Sequence, residues 1–231
     1  MRVYAVIPAL NERDSIAWLI GGISPEVCDG VVVADGGSHD GTQEAARAAG
    51  ATVVVERRRG YGRAVAAGIA AARAAGADAV AVVDGNGSIS PACVADVVAP
   101  LREGTADLAV GVRRPGAGQL RAHQRLGNRL AVEVIARTLG VRYGDVASVR
   151  AIRTDALDRL AVDDAGYGWP LQLLARAAAA GLRIAQIDVS LLPRQSRSKV
   201  SGTVRGSLGA STAFARVLLA ECVLAPLRGG R

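Results

Sequence analysis

Three turns with acidic or amide side chains, two of them glycine-rich, follow short apolar segments of this 231-residue sequence. The turns cover residues 7–12, 35–42 and 84–88. Aspartate, asparagine and glycine form turns for purely local reasons, so each turn taken alone is explained equally well by backbone geometry. Their repetition after three apolar segments instead favours one shared site.

An alternation of apolar and alanine-rich segments in the first half of the chain positions these turns. Buried strands are predicted at residues 3–7, 30–34, 52–55, 79–83 and 108–112, and helices at 14–20, 41–49, 63–75 and 91–101. Such an alternation favours an α/β fold with a mostly parallel sheet and right-handed crossovers. Ligands bind beyond the carboxyl ends of such strands, which is where the three turns lie.

The order of elements changes after residue 112, where a basic loop at residues 113–118 begins the second half. Helices are predicted at residues 119–139, 154–160, 169–180 and 205–224, and strands at 148–153 and 183–189. The sequence has no internal repeat and no linker long enough to separate two domains. Residues 1–231 are therefore predicted to form a single domain.

The composition is that of a globular protein with a basic surface. Hydrophobic residues make up 50% of the chain, charged residues 21%, and the formal net charge is +7. Aromatic residues make up only 3%, which argues against a protein that binds single-stranded nucleic acid through stacked bases. Lys199 is the only lysine, so the excess charge is arginine. This excess fits either a biased genome composition or bidentate recognition of phosphate.

Three features predict a cytoplasmic location. The cysteines Cys28, Cys93 and Cys222 lie far apart without metal-ligand spacing, which favours a reducing compartment. The first residues do not form an export signal, and no uncharged apolar run reaches about 18 residues.

The last helix carries Leu218 and Leu219 on one face. That amphipathic helix either docks on the core or lies at the inner face of the cell membrane.

The ordered set of motifs resembles a family 2 glycosyltransferase of GT-A fold, most similar to the polyprenyl- (dolichol-) phosphate sugar synthases. Residues 7–12 resemble the Pro-x-x-Asn-Glu turn of this family, and residues 35–42 resemble its Asp-Asp-Gly-Ser-x-Asp-Gly-Thr turn. A glycine-rich turn at residues 59–62 comes before the position of its Asp-x-Asp motif, which is Asp-Gly-Asn here. Matches continue in order at residues 125–128, 145–150 and 197–199, so the resemblance covers nearly the whole chain.

The resemblance implies transfer of a hexose, with inversion, from a GDP- or UDP-linked sugar to an acceptor, most similarly a polyprenyl phosphate. It assigns residues 1–112 to nucleotide-sugar binding and residues 113–231 to acceptor binding. The residues expected to contact the nucleotide sugar are Pro8, Leu10, Glu12, Val33, Asp35, Gly85 and Arg113.

The same resemblance assigns a divalent metal, Mg²⁺ or Mn²⁺, to Asp84 and Asn86, with Asp84 as a catalytic residue. Such an ion neutralises the leaving diphosphate as the glycosidic bond breaks. The sequence departs from the family because Asn86 replaces the second aspartate of the motif. An amide oxygen can bind a metal without contributing charge, so a weaker metal site is expected. Gly36 likewise replaces the second aspartate of the residue 35–42 turn.

The resemblance places the acceptor phosphate near a set of basic and polar residues, namely Arg125, Arg194, Arg197, Ser198 and Lys199. Arg121, Arg125 and Arg129 recur at i, i+4, which suits either a solvated helix face or a site where an anion relieves their repulsion. A phosphate acceptor has a second pKa of about 6 and needs no strong base. A hydroxyl acceptor would need one. Asp145 is the candidate base, and a turn cap is an equally good explanation for it.

Three other functions remain to be compared with this one. A nicotinamide enzyme would need a third glycine where Val65 stands, and its glycine-rich turn would follow the first strand rather than the third. A non-catalytic subunit related to glycosyltransferases fits the altered metal motif. Within the enzyme class, the acceptor could be a soluble phosphorylated or hydroxylated metabolite instead of a lipid.

Overall fold

The computed structural model describes residues 1–113, 122–146, 148–190, 192 and 204–225, which form one seven-stranded sheet flanked by helices. The strands are β1 (Val3–Ala9), β2 (Gly30–Asp35), β3 (Thr52–Val55), β4 (Ala79–Val83), β5 (Leu108–Arg113), β6 (Val149–Arg153) and β7 (Ile184–Val189). The helices are α1 (Arg13–Gly21), α2 (Thr42–Ala48), α3 (Tyr61–Ala74), α4 (Cys93–Arg102), α5 (Ala122–Leu139), α6 (Thr154–Leu160), α7 (Trp169–Ala179) and α8 (Val204–Val217), which continues as a π-helix over Leu218–Leu224.

The strand order is β3-β2-β1-β4-β6-β5-β7. Every neighbouring pair is parallel except the two pairs that involve β6, which runs antiparallel to both β4 and β5. The predicted mostly parallel α/β sheet is therefore confirmed. The sequence predicted a strand at β6 but not its direction. Its position means that a strand from the second half of the chain lies between two strands of the first half.

Side chains alternate between two cores because successive residues of a strand point to opposite faces of the sheet. In β4, Val80 and Val82 face the core that contains Trp169. Ala79, Ala81 and Val83 face the core on the opposite side of the sheet. All five residues are fully buried, which explains the unbroken apolar run in this strand.

The N-terminus of α3 is covered by a backbone clasp, which we define as Gly60 and Gly62 together with residues 164–166. The amide of Gly62 donates to the carbonyl of Gly166, and the amide of Arg63 donates to that of Ala165, both at 3.2 Å. A Cβ atom at Gly60 or Gly62 would overlap the backbone of residues 164–165. The glycines therefore admit a second chain segment, and its carbonyl groups occupy the place where a dinucleotide fold binds pyrophosphate.

The last helix docks on the protein core through one side. Val217 and Cys222 are buried, and Leu218 packs against the core that contains Trp169. Leu219, from the same predicted apolar face, is 53% exposed. No helix among the described residues is long and apolar enough to span a bilayer.

Candidate active site

The first two turns, at residues 7–12 and 35–42, are joined by hydrogen bonds at the carboxyl edge of the sheet. Asn11 adopts a left-handed conformation with a φ of 49°, and its amide donates to Ser38 Oγ at 2.7 Å. The amide of His39 donates back to Asn11 Oδ1 at 2.8 Å. The amide of Glu12 donates to Thr42 Oγ1, also at 2.8 Å. The asparagine of the first turn thus fixes its position against the second.

The third turn contacts the first from the other side of β1. Ser15 is fully buried, and its hydroxyl donates to the carbonyl of Gly85 at 2.7 Å. A Cβ atom at Gly85 would lie 3.0 Å from the carbonyl oxygen of Pro8, a tight contact, so this close approach favours glycine. The three turns predicted to share one edge of the sheet therefore do so.

The Asp35 carboxylate is fully buried and is enclosed by its own turn. Its donors are the amide of Gly37 at 3.0 Å, the amide of Ser38 at 2.9 Å, Gln43 Nε2 at 2.8 Å, and the hydroxyl of Ser38. A carboxylate has about four acceptor positions, so these donors satisfy it. The contacts that hold the turn together thus already use the side chain that was predicted to bind the nucleotide.

The Asp84 carboxylate lies at the end of β4 and is half-buried. Tyr61 Oη donates to Asp84 Oδ1 at 2.8 Å. Among the described residues no donor reaches Oδ2, so this oxygen is open to a ligand. Burial, followed by the nearby charge of Asp84, raises the pKa of Tyr61 well above its usual value. The tyrosine hydroxyl therefore keeps its proton and remains a donor.

Arg150 contacts the Tyr61 hydroxyl of this pair and is 2% exposed. Its guanidinium stacks over the Trp169 ring at 5.7 Å from the ring centroid, and its charge acts on the Tyr61 hydroxyl to lower that pKa in part. Tyr61 and Arg150 both lie in segments that resemble family motifs, but no role was predicted for either residue. Their contact joins two segments almost 90 residues apart in the chain, and no local pattern indicates it.

The donor set of the third turn fits a cation that shares its ligands with a diphosphate. Asp84 offers one open carboxylate oxygen. Asn86 Oδ1 accepts a hydrogen bond from the amide of Ser88 at 2.9 Å and retains a second lone pair. Among the described residues no group of three or more His, Cys, Asp or Glu side chains could hold a metal by itself. Mg²⁺ and Mn²⁺ are often bound through one or two carboxylates together with substrate phosphates, which matches this set.

Arg113 and Asp145 form an ion pair at the end of β5. Asp145 is 2% exposed, and its carboxylate accepts from Arg113 Nε and Nη2. Asn128 Nδ2 donates to Asp145 Oδ1 at 2.7 Å, and Asn128 Oδ1 accepts from the amide of Val146 at 2.9 Å. Arg113, predicted to bind the donor, and Asp145, predicted as a candidate base, are therefore paired with each other in this structure.

The remaining predicted site residues differ in exposure. Leu10 is 41% exposed at the edge of the sheet, Glu12 is 9% exposed, and Val33 is fully buried and packs in the core. Arg125 is exposed on α5. The predicted acceptor residues Arg194, Arg197, Ser198 and Lys199 lie outside the described residues.

Comparison with known proteins identifies the family. The model of glycosyl transferase family 2 matches residues 4–160. An uncharacterised glycosyltransferase of Mycobacterium tuberculosis is 42% identical over 94% of this chain and 97% of its own length. The undecaprenyl-phosphate mannosyltransferase of Micrococcus luteus is 31% identical over 89% and 90% of the two chains. The polyprenol monophosphomannose synthase of Mycolicibacterium smegmatis is 31% identical over 87% and 82%.

Solved structures agree with these relatives. Glucosyl-3-phosphoglycerate synthase from Mycobacterium tuberculosis, solved with Mn²⁺, uridine diphosphate and phosphoglyceric acid, is 26% identical with a TM-score of 0.77. The match covers 96% of this chain and 78% of that chain. A complex of the same enzyme with Mg²⁺ and uridine diphosphate has a TM-score of 0.78. The protein described here has the GT-A fold and is an enzyme of glycosyl transferase family 2.

Proposed function

We propose that this enzyme transfers a hexose from a GDP- or UDP-linked sugar to a polyprenyl phosphate. The observation that carries the proposal is the similarity to two relatives named for polyprenyl-phosphate mannose chemistry. That similarity spans 87–89% of this chain and therefore includes both the turns of the first half and the basic second half. A similarity confined to the nucleotide-binding half would say nothing about the acceptor.

The donor site in this proposal is the carboxyl edge of β1, β2 and β4. Leu10 and Glu12 offer an apolar surface and a carboxylate for the nucleoside, next to the backbone of Pro8 and Gly85. Asp84 and Asn86 would hold the divalent cation, which neutralises the charge of the leaving diphosphate when it is bound. Asp35 supports the site by keeping the second turn folded against the first.

The proposed reaction balances without a protein base. An oxygen of the acceptor phosphate forms a bond to the anomeric carbon, while the bond from that carbon to the donor diphosphate breaks. The electron pair of the broken bond leaves on the diphosphate. A phosphate monoester with a second pKa of about 6 is mostly dianionic at neutral pH, so no proton has to be removed. The ion pair of Asp145 with Arg113 is compatible with this mechanism because the carboxylate need not accept a proton.

A soluble phosphorylated acceptor is the second candidate. It is favoured by the solved structures that contain phosphoglyceric acid. The shared chemistry is recognition of an acceptor phosphate by basic side chains. A soluble acceptor that reacts through a hydroxyl would also need a base, and Asp145 could serve only after its contact with Arg113 opened.

The test compares acceptors with the same donor. Labelled UDP- and GDP-hexoses are supplied with polyprenyl phosphate in detergent or with 3-phosphoglycerate, and the labelled products are separated. We expect transfer to the lipid. Arg197→Ala and Lys199→Ala should each reduce acceptor use about 10–100-fold, because a charge-assisted hydrogen bond to phosphate contributes about 1.5–3 kcal/mol. Arg137→Ala, an exposed arginine on α5, is the control. Transfer to the soluble acceptor alone would overturn the lipid assignment.

A further inference from the structure

The Tyr61 hydroxyl is the one donor that the described residues direct at the Asp84 carboxylate. The Tyr61 Oη to Asp84 Oδ1 distance is 2.8 Å. A carboxylate with one oxygen engaged in this way cannot rotate freely about its last side-chain torsion. Its other oxygen, Oδ2, therefore points in a defined direction at the edge of the sheet.

Tyr61 is itself held in place from two sides. It is the first residue of α3, and the backbone clasp bonds the two residues after it to the segment at 164–166 and brings Gly60, before it, against Ala165. Its ring packs against the core that also contains Trp169. The position of the hydroxyl thus depends on backbone contacts between distant parts of the chain and not on a mobile side chain alone.

Arg150 is the third residue that fixes the Tyr61 hydroxyl. Arg150 pairs with Val82 in the β4–β6 register, and Asp84 lies two residues further along the chain. Its guanidinium is fixed by the stack on Trp169, and its positive charge lies beside the Tyr61 hydroxyl. A cation that donates a hydrogen bond to a phenol oxygen polarises the O–H group and strengthens its hydrogen bond to the carboxylate.

We infer that Tyr61 is a positioning residue, which orients Asp84 so that Oδ2 faces the cation and the diphosphate of the donor. The inference rests on the proposed function, because it takes the third turn as the site of the donor diphosphate. It adds to that proposal a residue outside the Asp-Gly-Asn motif on which the geometry of the motif depends. Groups that orient metal ligands commonly contribute 10–100-fold to metal affinity or activity.

A second tyrosine supplies a matched control. The Tyr143 hydroxyl donates to the carbonyl of Leu174 at 2.9 Å, and Tyr143 is 5% exposed. Replacement of either tyrosine by phenylalanine removes the hydroxyl and keeps the ring. At Tyr143 one hydrogen bond is lost, and at Tyr61 the bonds to Asp84 and to Arg150 are both lost. Of these two tyrosines, Tyr61 alone touches Asp84, so an effect on cation binding that is confined to Tyr61→Phe reports on positioning and not on stability.

The experiment measures Mn²⁺ binding by electron paramagnetic resonance in the presence of saturating UDP, and in parallel with GDP. We expect Tyr61→Phe to weaken Mn²⁺ binding about 10-fold and Tyr143→Phe to leave it within twofold of the wild type. Thermal unfolding shows that both variants are folded. Nucleotide binding measured without Mn²⁺ should be the same in all three proteins, because the change acts on the carboxylate and not on the nucleoside.

The outcomes separate the inference from the proposed function. If the wild type binds Mn²⁺ with a nucleotide and Tyr61→Phe binds it equally well, the positioning role is wrong and the proposed function stands. Equal weakening in Tyr61→Phe and Tyr143→Phe would also overturn the positioning role, since it would reflect stability alone. If the wild type binds neither nucleotide with or without Mn²⁺, the proposed function itself is overturned.

Discussion

Asp35 and Asp84 occupy equivalent places in the sequence and different situations in the structure. Asp35 ends β2 and Asp84 follows β4 at the same edge of the sheet, and each is followed by glycine. Asp35 is fully buried, and its side chain accepts four hydrogen bonds, three from its own turn and one from Gln43 of α2. The side chain of Asp84 is half-buried and accepts one from the described residues, donated by Tyr61. A carboxylate whose acceptor positions are filled maintains the fold, and one with an open oxygen is available to a ligand.

The paths of the two turns produce this difference. In the second turn Gly37 adopts a φ of 87°, and the chain folds back so that two backbone amides reach the Asp35 carboxylate. In the third turn the backbone amide of Ser88 donates to Asn86 Oδ1 and not to the Asp84 carboxylate. Asp84 is thereby left to contacts from another part of the chain, and the only one among the described residues is the hydroxyl of Tyr61.

The largest effect is expected for Asp84→Ala. Removal of the open carboxylate should lower hexose transfer at least about 1000-fold. Without it, the divalent cation that neutralises the leaving diphosphate would no longer be held in place. The melting temperature should change by no more than about 3 °C, since a single hydrogen bond is lost. Transfer rates and thermal unfolding are measured on the same preparation. Near-normal turnover would show that the donor site lies elsewhere.

Asp35→Ala should have the opposite profile. It leaves several buried donors of the second turn without an acceptor, and we expect the free energy of unfolding to fall by about 3 kcal/mol. The melting temperature would drop by about 6–12 °C. Calorimetry measures this loss, and nucleotide binding is then measured well below the new melting temperature. Full stability combined with lost nucleotide binding would instead make Asp35 a direct ligand, as the sequence suggested.

Asp145→Asn extends the comparison to a third carboxylate, whose acceptor positions are already occupied by hydrogen bonds from its partners. Loss of the charge opposite Arg113 should cost about 3 kcal/mol of stability. Transfer to polyprenyl phosphate should remain within about threefold of the wild type, because this acceptor needs no base. Chemical denaturation and transfer assays test the two effects. A 100-fold loss of turnover at unchanged stability would identify Asp145 as a base and favour a hydroxyl acceptor.

Asn86→Asp is expected to have the smallest effect. The added negative charge should tighten Mn²⁺ binding about 3–10-fold, because ligand charge count tunes affinity for hard cations. The hydrogen bond from the amide of Ser88 can be kept by either side chain. Titration of Mn²⁺ in the presence of UDP compares the two proteins. Weaker binding by the variant would mean that residue 86 is not a metal ligand.

Much of this fold was predictable from local patterns. The apolar segments predicted the strands because a strand buried on both faces needs an unbroken apolar run, as in β4. The turns at Asp35 and Asp84 were located because ligands meet α/β sheets at the carboxyl ends of their strands. The sequence did not reveal which of the two carboxylates was enclosed. That outcome depends on a few backbone angles and on Tyr61, and neither leaves a periodic signal.

The contact partner of the glycine-rich turn at residues 59–62 could not be predicted from the sequence either. Two glycines at the start of a helix indicate close approach of another group, and the sequence does not say which. The partner is the chain at 164–166, about 100 residues later. Contacts between such distant segments are set by the complete fold, so they could not be predicted from either segment alone.

The place of β6 has a consequence for the order in which the chain folds. The edges of β4 and β5 that β6 joins cannot be paired until residues 149–153 have been synthesised and have inserted between them. Until then, each of the two strands presents unpaired backbone groups, which favour association with other chains. The hydrogen bonds at the N-terminus of α3 form later still, because they need residues 164–166. We therefore expect residues 1–113 expressed alone to aggregate, and the full chain to unfold in one cooperative transition.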